Sequence, residues 1–98
     1  AMRILNKMVI DIFAGKHSDV KNALEHWTNI VEEADWGSHN DIKLDFPSAD
    51  YIGNQRYVFN IKGNRYRVVA FIIFISGSFN IRFIGKHSDY DKIDCSNI

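Results

Sequence analysis

The run from Val68 to Ile75 constrains this chain more than any other stretch, because it is unbroken apolar and is bounded by turn-forming residues. A strand with no polar alternation is one covered on both faces, so this run is expected at the centre of a sheet. The chain enters it through Arg65-Tyr66-Arg67 and leaves it through Ser76-Gly77-Ser78. Two further β-rich runs flank it, Arg56 to Lys62 before and Phe79 to Ile84 after. Gly63-Asn64 joins the first two runs and tolerates positive φ, which is the chemistry of a hairpin turn. An antiparallel meander follows, with the central strand expected from Arg65 to Ile75.

The hairpin also concentrates charge. A two-residue loop at Gly63-Asn64 sets Lys62 opposite Arg65 and Asn60 opposite Arg67, and the period of two then places all four on one face. Cations this close repel one another, which points to an anion among them. Solvated hairpin tips carry Lys and Arg without any ligand, so the cluster alone leaves both readings open. Arg67 adjoins the apolar run and is expected at the rim of the core. Arg82 shares its face if the next joint is a two-residue turn, and takes the other face if that loop has three residues.

The first half of the chain reads as helical. Met2 to Leu5 suits a short edge strand, Asn6 an N-cap, and Met8, Val9, Ile12 and Phe13 a short helix ended by Gly15. Val20, Ala23, Leu24, Trp27, Val31 and Ala34 recur at helical spacing, predicting a helix from Ser18 to Trp36 with Gly37 terminating it. The acid-rich end of that helix opposes its dipole and needs an offsetting contact. Asn40 to Phe46 is expected to form a helical turn stopped by Pro47, and Pro47 to Asn54 to run irregularly into the meander. Helices followed by strands make an α+β domain, two N-terminal helices on one sheet face and the other face free for function.

Residues 1–98 are read as one domain, with Ala1 a remnant ahead of the natural Met2. The formal net charge is zero, but the two halves differ. Up to Gly53 there are five Lys or Arg against nine Asp or Glu; from Asn54 onward there are seven against three. From Asn54 to Ser88 no acid appears. Such asymmetry points to an anionic partner on one side.

Cys95 is the only cysteine, so no disulfide forms within the chain. Arg3, Asn6, Lys7 and Asp11 interrupt the opening apolar residues, so neither a signal peptide nor a membrane span is read there, and a cytoplasmic location is expected. His17, His26, His39 and His87 show no ligand spacing, and no phosphate loop, dinucleotide fingerprint or nucleophile elbow occurs; no metal or cofactor is expected. One titratable cluster remains, Lys86, His87, Tyr90, Asp91 and Lys92, just past the third strand.

Tyr57-Val-Phe-Asn-Ile61, Gly63-Asn64, Tyr66-Arg-Val-Val-Ala70 and above all Lys86-His-Ser-Asp-Tyr-Asp-Lys-Ile93 resemble the HigB-type toxins of bacterial toxin–antitoxin modules, relatives of RelE. Phe46-Pro-Ser-Ala-Asp50 and the leading helices fit the same pattern. The resemblance implies a RelE-like fold and a ribosome-dependent endoribonuclease that cuts mRNA without metal and inhibits translation. It implies a cognate helix-turn-helix antitoxin of the HigA type, and no direct DNA binding by this chain. Arg67 takes the place of the strand arginine beside the scissile phosphate, His87 that of the motif histidine, and Tyr90 that of the aromatic three residues on. Arg56, Lys62, Arg65, Arg82, Lys86 and Lys92 are expected to contact RNA.

The implied chemistry is attack of a 2′-hydroxyl on the adjacent phosphate, which needs a proton acceptor, a proton donor and cations for the phosphorane. An imidazole suits proton transfer near neutrality, and a planar guanidinium suits two phosphate oxygens at once. Two other classes remain open. A sheet bearing Tyr57, Phe59, Tyr66 and a basic face suits a non-catalytic single-stranded RNA binder, and the same face suits an acidic protein partner.

Overall fold

The computed structural model describes residues 1–98. Its elements are β1 (Arg3–Ile4), α1 (Met8–Lys16), a 3-10 turn (Ser18–Val20), α2 (Lys21–Glu33), α3 (His39–Asp45), β2 (Asp50–Gly53), β3 (Arg56–Ile61), β4 (Tyr66–Ile73), β5 (Ser78–Lys86) and α4 (His87–Tyr90). The five strands lie in the order β1-β5-β4-β3-β2, so the apolar run is central, as its lack of alternation predicts. All neighbours are antiparallel except β1, which runs parallel to β5 at one edge. The α+β class holds.

One sheet face carries the main core. Tyr66, Val68, Ala70 and Ile72 of β4 point to it with Phe59, Phe79 and Ile81 from the neighbouring strands. Leu24, Trp27, Thr28 and Val31 form the buried stripe of α2. Trp27 packs edge-on to Phe59 and Phe79, and Trp36 lies nearly parallel to Phe59. Ring contacts of this kind add to the area each aromatic removes from water.

The helix boundaries differ from the expected ones for local reasons. Ser18 to Val20 adopts 3-10 geometry, and Ser18 makes no side-chain cap. The helix ends at Glu33 rather than Trp36, because Ala34 is extended and its carbonyl accepts the Met2 amide at 2.8 Å. That exit drops Trp36 into the core, where Nε1 donates to Asp45 at 2.9 Å. Gly37 therefore does not end α2; its amide donates to Asp41. The acidic end finds its offset in Lys7, which meets Glu32 at 3.3 Å. Asn6 is no cap either, since its side chain both donates to and accepts from the Ile81 backbone at 2.8 Å. α1 passes Gly15 and closes at Lys16.

Three corrections concern the sheet. Pro47 to Asn54 is not irregular throughout, because Asp50–Gly53 pairs with β3 through a tight turn in which Asn54 and Gln55 both take left-handed φ. A non-glycine pair hides that turn from a search for glycine. β4 stops at Ile73, and Phe74 to Gly77 make the joint to β5. Finally, the second sheet face is partly roofed by the C-terminal segment, since Cys95 packs on Val58 and Val69 with Ile52, Phe83, Tyr90 and Ile98 beside them. No helix is long and apolar enough to cross a membrane.

Candidate active site

The ladder places Arg67 between Asn60 of β3 and Gly85 of β5, as the hairpin register predicts for Asn60. Its guanidinium carbon lies 4.7 Å from the centre of the Tyr90 ring. A Cβ on Gly85 would come within 2.8 Å of the Phe83 ring, and that ring meets Tyr90 at 6.3 Å. Arg67 thus rests on an aromatic floor that needs a glycine beside it. None of the ion pairs includes Arg67. Its Nε and the Oδ1 of Asn60 opposite are both buried without a partner. A cation with an unpaired buried donor is costly to keep, and an incoming acceptor removes that cost.

Tyr90 closes α4, which is a single helical turn at the exit of β5. Burial pushes its hydroxyl pKa above the usual 10.0, with Cys95 and Asp50 adding and Arg67 opposing. The phenol therefore stays neutral at ordinary pH. His87 opens the same turn, its amide donating to the Arg65 carbonyl at 3.1 Å. Its Nδ1 lies 3.2 Å from the Asp91 carboxylate, and the imidazole is about two-fifths exposed.

The expected RNA contacts fall into separate groups. Lys62 and Arg65 do not share a face with Asn60 and Arg67, because Lys62 takes φ +53° and breaks the strand alternation. They turn instead to Asp19 in the 3-10 turn. Lys62 Nζ donates to the Asp19 carbonyl at 2.7 Å and stands 3.7 Å from its carboxylate, with Arg65 Nη1 at 3.9 Å. The Tyr66 hydroxyl holds that carboxylate at 2.9 and 3.0 Å. The anion that the clustered cations called for is internal.

Arg82 follows neither expected loop. A four-residue joint fixes the register up to Ala70–Ile81, and a bulge then leaves Arg82 unpaired before Val69 meets Phe83. The four-residue joint, even-numbered like a two-residue turn, already puts Arg82 on the Arg67 side of the sheet, its guanidinium 5.2 Å from the Phe71 ring. Arg56 approaches the same ring at 4.8 Å, but its donors are engaged by the carbonyls of Asn54 and Ile98. Lys86 ends β5 and lines a shallow depression of about 380 Å³ with Asp19, Asn64, Arg65, Tyr66, His87 and Ser88. Lys92 is exposed beyond α4 and joins none of these groups.

The histidines other than His87 are occupied elsewhere or solvated. His17 stacks on Phe13 at 4.3 Å, His39 meets the Tyr57 hydroxyl at 3.2 Å, and His26 is exposed. No three His, Cys, Asp or Glu side chains gather as a metal site would require.

Comparison with known proteins adds the family. Residues 20–93 match the HigB toxin family, described as the RelE-like toxic component of a toxin-antitoxin system. The chain belongs to the HigB family. An mRNA interferase HigB of Escherichia coli O6:H1 is 30% identical over 94 residues, covering 94% of this chain and 91% of that protein. The mRNA interferase toxin HigB of Escherichia coli K12 is 31% identical over 93 residues, covering 92% and 88%. An mRNA interferase HigB of Shigella flexneri gives the same identity and coverage. As a HigB toxin, the protein is one half of a toxin–antitoxin pair.

Three site features escaped the sequence reading. Asp19 is 43 residues from Lys62, and no local pattern links them. Phe71 is hidden inside the apolar run. Asp91 was within the titratable cluster, but its place four residues after His87 becomes a signal only once the stretch is known to be helical.

Proposed function

We propose that this HigB toxin is a metal-independent endoribonuclease that cleaves mRNA on the ribosome and so stops translation. The observation that carries this reading is that one turn of helix, α4, bears His87 at its start and Tyr90 at its end, with Arg67 seated on Tyr90. A titrating group and a pre-aimed cation are thereby joined through a rigid link. A pure RNA-binding surface has no use for that combination.

In the proposed reaction, Nε2 of His87 takes the proton of the ribose 2′-hydroxyl, and the oxygen attacks the adjacent phosphorus. Arg67 holds two non-bridging oxygens as the phosphorane forms, its Nε gaining the acceptor it lacks. The 5′-oxygen leaves with a proton drawn from water, and a 2′,3′-cyclic phosphate remains. Tyr90 keeps the guanidinium flat and, being neutral, puts no negative charge beside the phosphate. Asp91 acts through His87 by placing a carboxylate beside its Nδ1. Lys62, Arg65, Arg82 and Lys86 hold flanking phosphates, with Arg56 and Lys92 at the margins.

The partner in this reading is a HigA-type antitoxin with a helix-turn-helix fold. It supplies the DNA recognition of the complex, and the toxin itself does not read DNA. The site of action is the cytoplasm, where translating ribosomes are. Induction of the toxin alone is expected to arrest growth and to yield new mRNA 5′ ends by primer extension, and co-expression of the neighbouring antitoxin to abolish both. Harmless expression of the intact folded chain, with mRNA uncut in a translating extract, would overturn the proposal.

A further inference from the structure

We infer that Asp19 is a built-in competitor of RNA phosphate, set against the hairpin cations Lys62 and Arg65 to limit how tightly the toxin holds RNA. The inference rests on the endoribonuclease reading above and adds an affinity-setting residue to it. Asp19 is anchored by a different group from the ones it neutralises. The Tyr66 hydroxyl holds its carboxylate at 2.9 and 3.0 Å, whereas Lys62 and Arg65 reach that carboxylate only at 3.7 and 3.9 Å. Contacts at the outer limit of ion pairing between half-exposed side chains are weak and exchange readily. Lys62 also donates to the Asp19 carbonyl at 2.7 Å, so a phosphate must take over that donor as it draws Arg65 off the carboxylate, while Asp19 stays on Tyr66.

The placement fits competition rather than support. Asp19 lines the same depression as Arg65, Lys86 and His87, and in the proposed reaction that depression takes a phosphate next to the scissile one. The Tyr66 bond, then Lys62 and then Arg65, hold its pKa below the usual 3.8, so it is a full anion at neutral pH. The hairpin offers an approaching polyanion one net positive charge instead of two. Arg67 has no such counter-ion. Binding cations are discounted in advance, and the cation aimed at the reacting phosphate is not.

Asp19→Asn keeps an oxygen for the Tyr66 hydroxyl and removes the charge. Affinity for a fluorescein-labelled single-stranded oligoribonucleotide, titrated across a salt series, is expected to rise roughly 3- to 10-fold at low salt, with the salt dependence steeper by about 0.7. Replacing Lys62 and Arg65 together by Gln should erase that gain in the Asp19→Asn chain. In the parent, which carries the mask, the same double substitution should flatten the slope by less than about 0.7, and this arm needs no change at Asp19. If the parent binds RNA and Asp19→Asn, folded by thermal melt, binds no tighter, the competitor role fails while the nuclease reading stands. A parent slope that flattens by the full amount expected of two free cations also overturns it. If neither chain binds RNA, the competitor role falls, and the nuclease reading stands or falls on mRNA cleavage in the translating extract.

Discussion

The two faces of the sheet are built from the same alternating strands and store different things. The helix-covered face buries a contiguous core in which Trp27 and Trp36 each pack on Phe59 and Phe79 and no charged residue is buried. The opposite face has only the small Val58, Val69 and Cys95 cluster, and its aromatic rings carry guanidinium groups: Arg67 on Tyr90, Arg56 and Arg82 on Phe71. One face supplies stability. The other spends little on packing and keeps cations flat, aimed and, for Arg67, without a counter-ion. A domain this small holds both only because β4 is apolar on both sides and can serve each face at once.

The contrast can be broken most forcefully at the core. Phe59→Ala should destabilise the fold by about 3–5 kcal/mol, read by chemical denaturation, and should reduce cleavage only through the fraction unfolded. On the other face the effects should be reversed. Arg67→Ala is expected to lower cleavage by roughly 10²- to 10³-fold in a primer-extension assay while the melting midpoint moves by a few degrees at most. If Arg67→Ala unfolds the domain instead, or leaves cleavage intact, the division between faces is wrong.

A smaller effect is expected at the edge between the faces, where Tyr66 first, then Lys62 and Arg65, depress the Asp19 pKa. A carboxyl with a depressed folded pKa stabilises the fold above its unfolded value and loses that contribution as pH falls through the folded value. Stability should therefore drop as pH goes below about 4, and Asp19→Asn should lack that part of the drop in melts compared between about pH 5 and pH 3. Identical acid profiles for the two chains would remove Asp19 from the account. Smallest of all, Lys92→Ala should change RNA affinity by less than about twofold, since the side chain is exposed and outside every cationic group.

How much was legible in the sequence divides along the same line. The central strand, the α+β class, the Asn60–Arg67 register and α3 follow from local patterns of two, of three and four, and from Pro47. β2 was missed because a four-residue edge strand carries little pattern and its turn uses Asn54-Gln55. The end of α2 was misplaced because Trp36 is apolar at helical spacing but is buried by an extended segment. In the candidate site, Arg67, His87 and Tyr90 stand out by type and motif, and their roles are the proposal. What neutralises Lys62 and Arg65, and which side the length of the β4–β5 joint gives Arg82, depend on tertiary contacts and a strand register that no local window contains.

In the proposed reaction α4 couples a proton-transferring His87 to the Arg67 cation. His87→Gln tests it most directly, measured as single-turnover cleavage of ribosome-bound mRNA beside RNA affinity and the melting midpoint of the same preparation. Cleavage is expected to slow by about 10² to 10⁴, with affinity and melting midpoint close to the parent. A His87→Gln toxin that cleaves at near the parent rate would contradict it, and would leave the chemical step to Arg67 and Tyr90 alone.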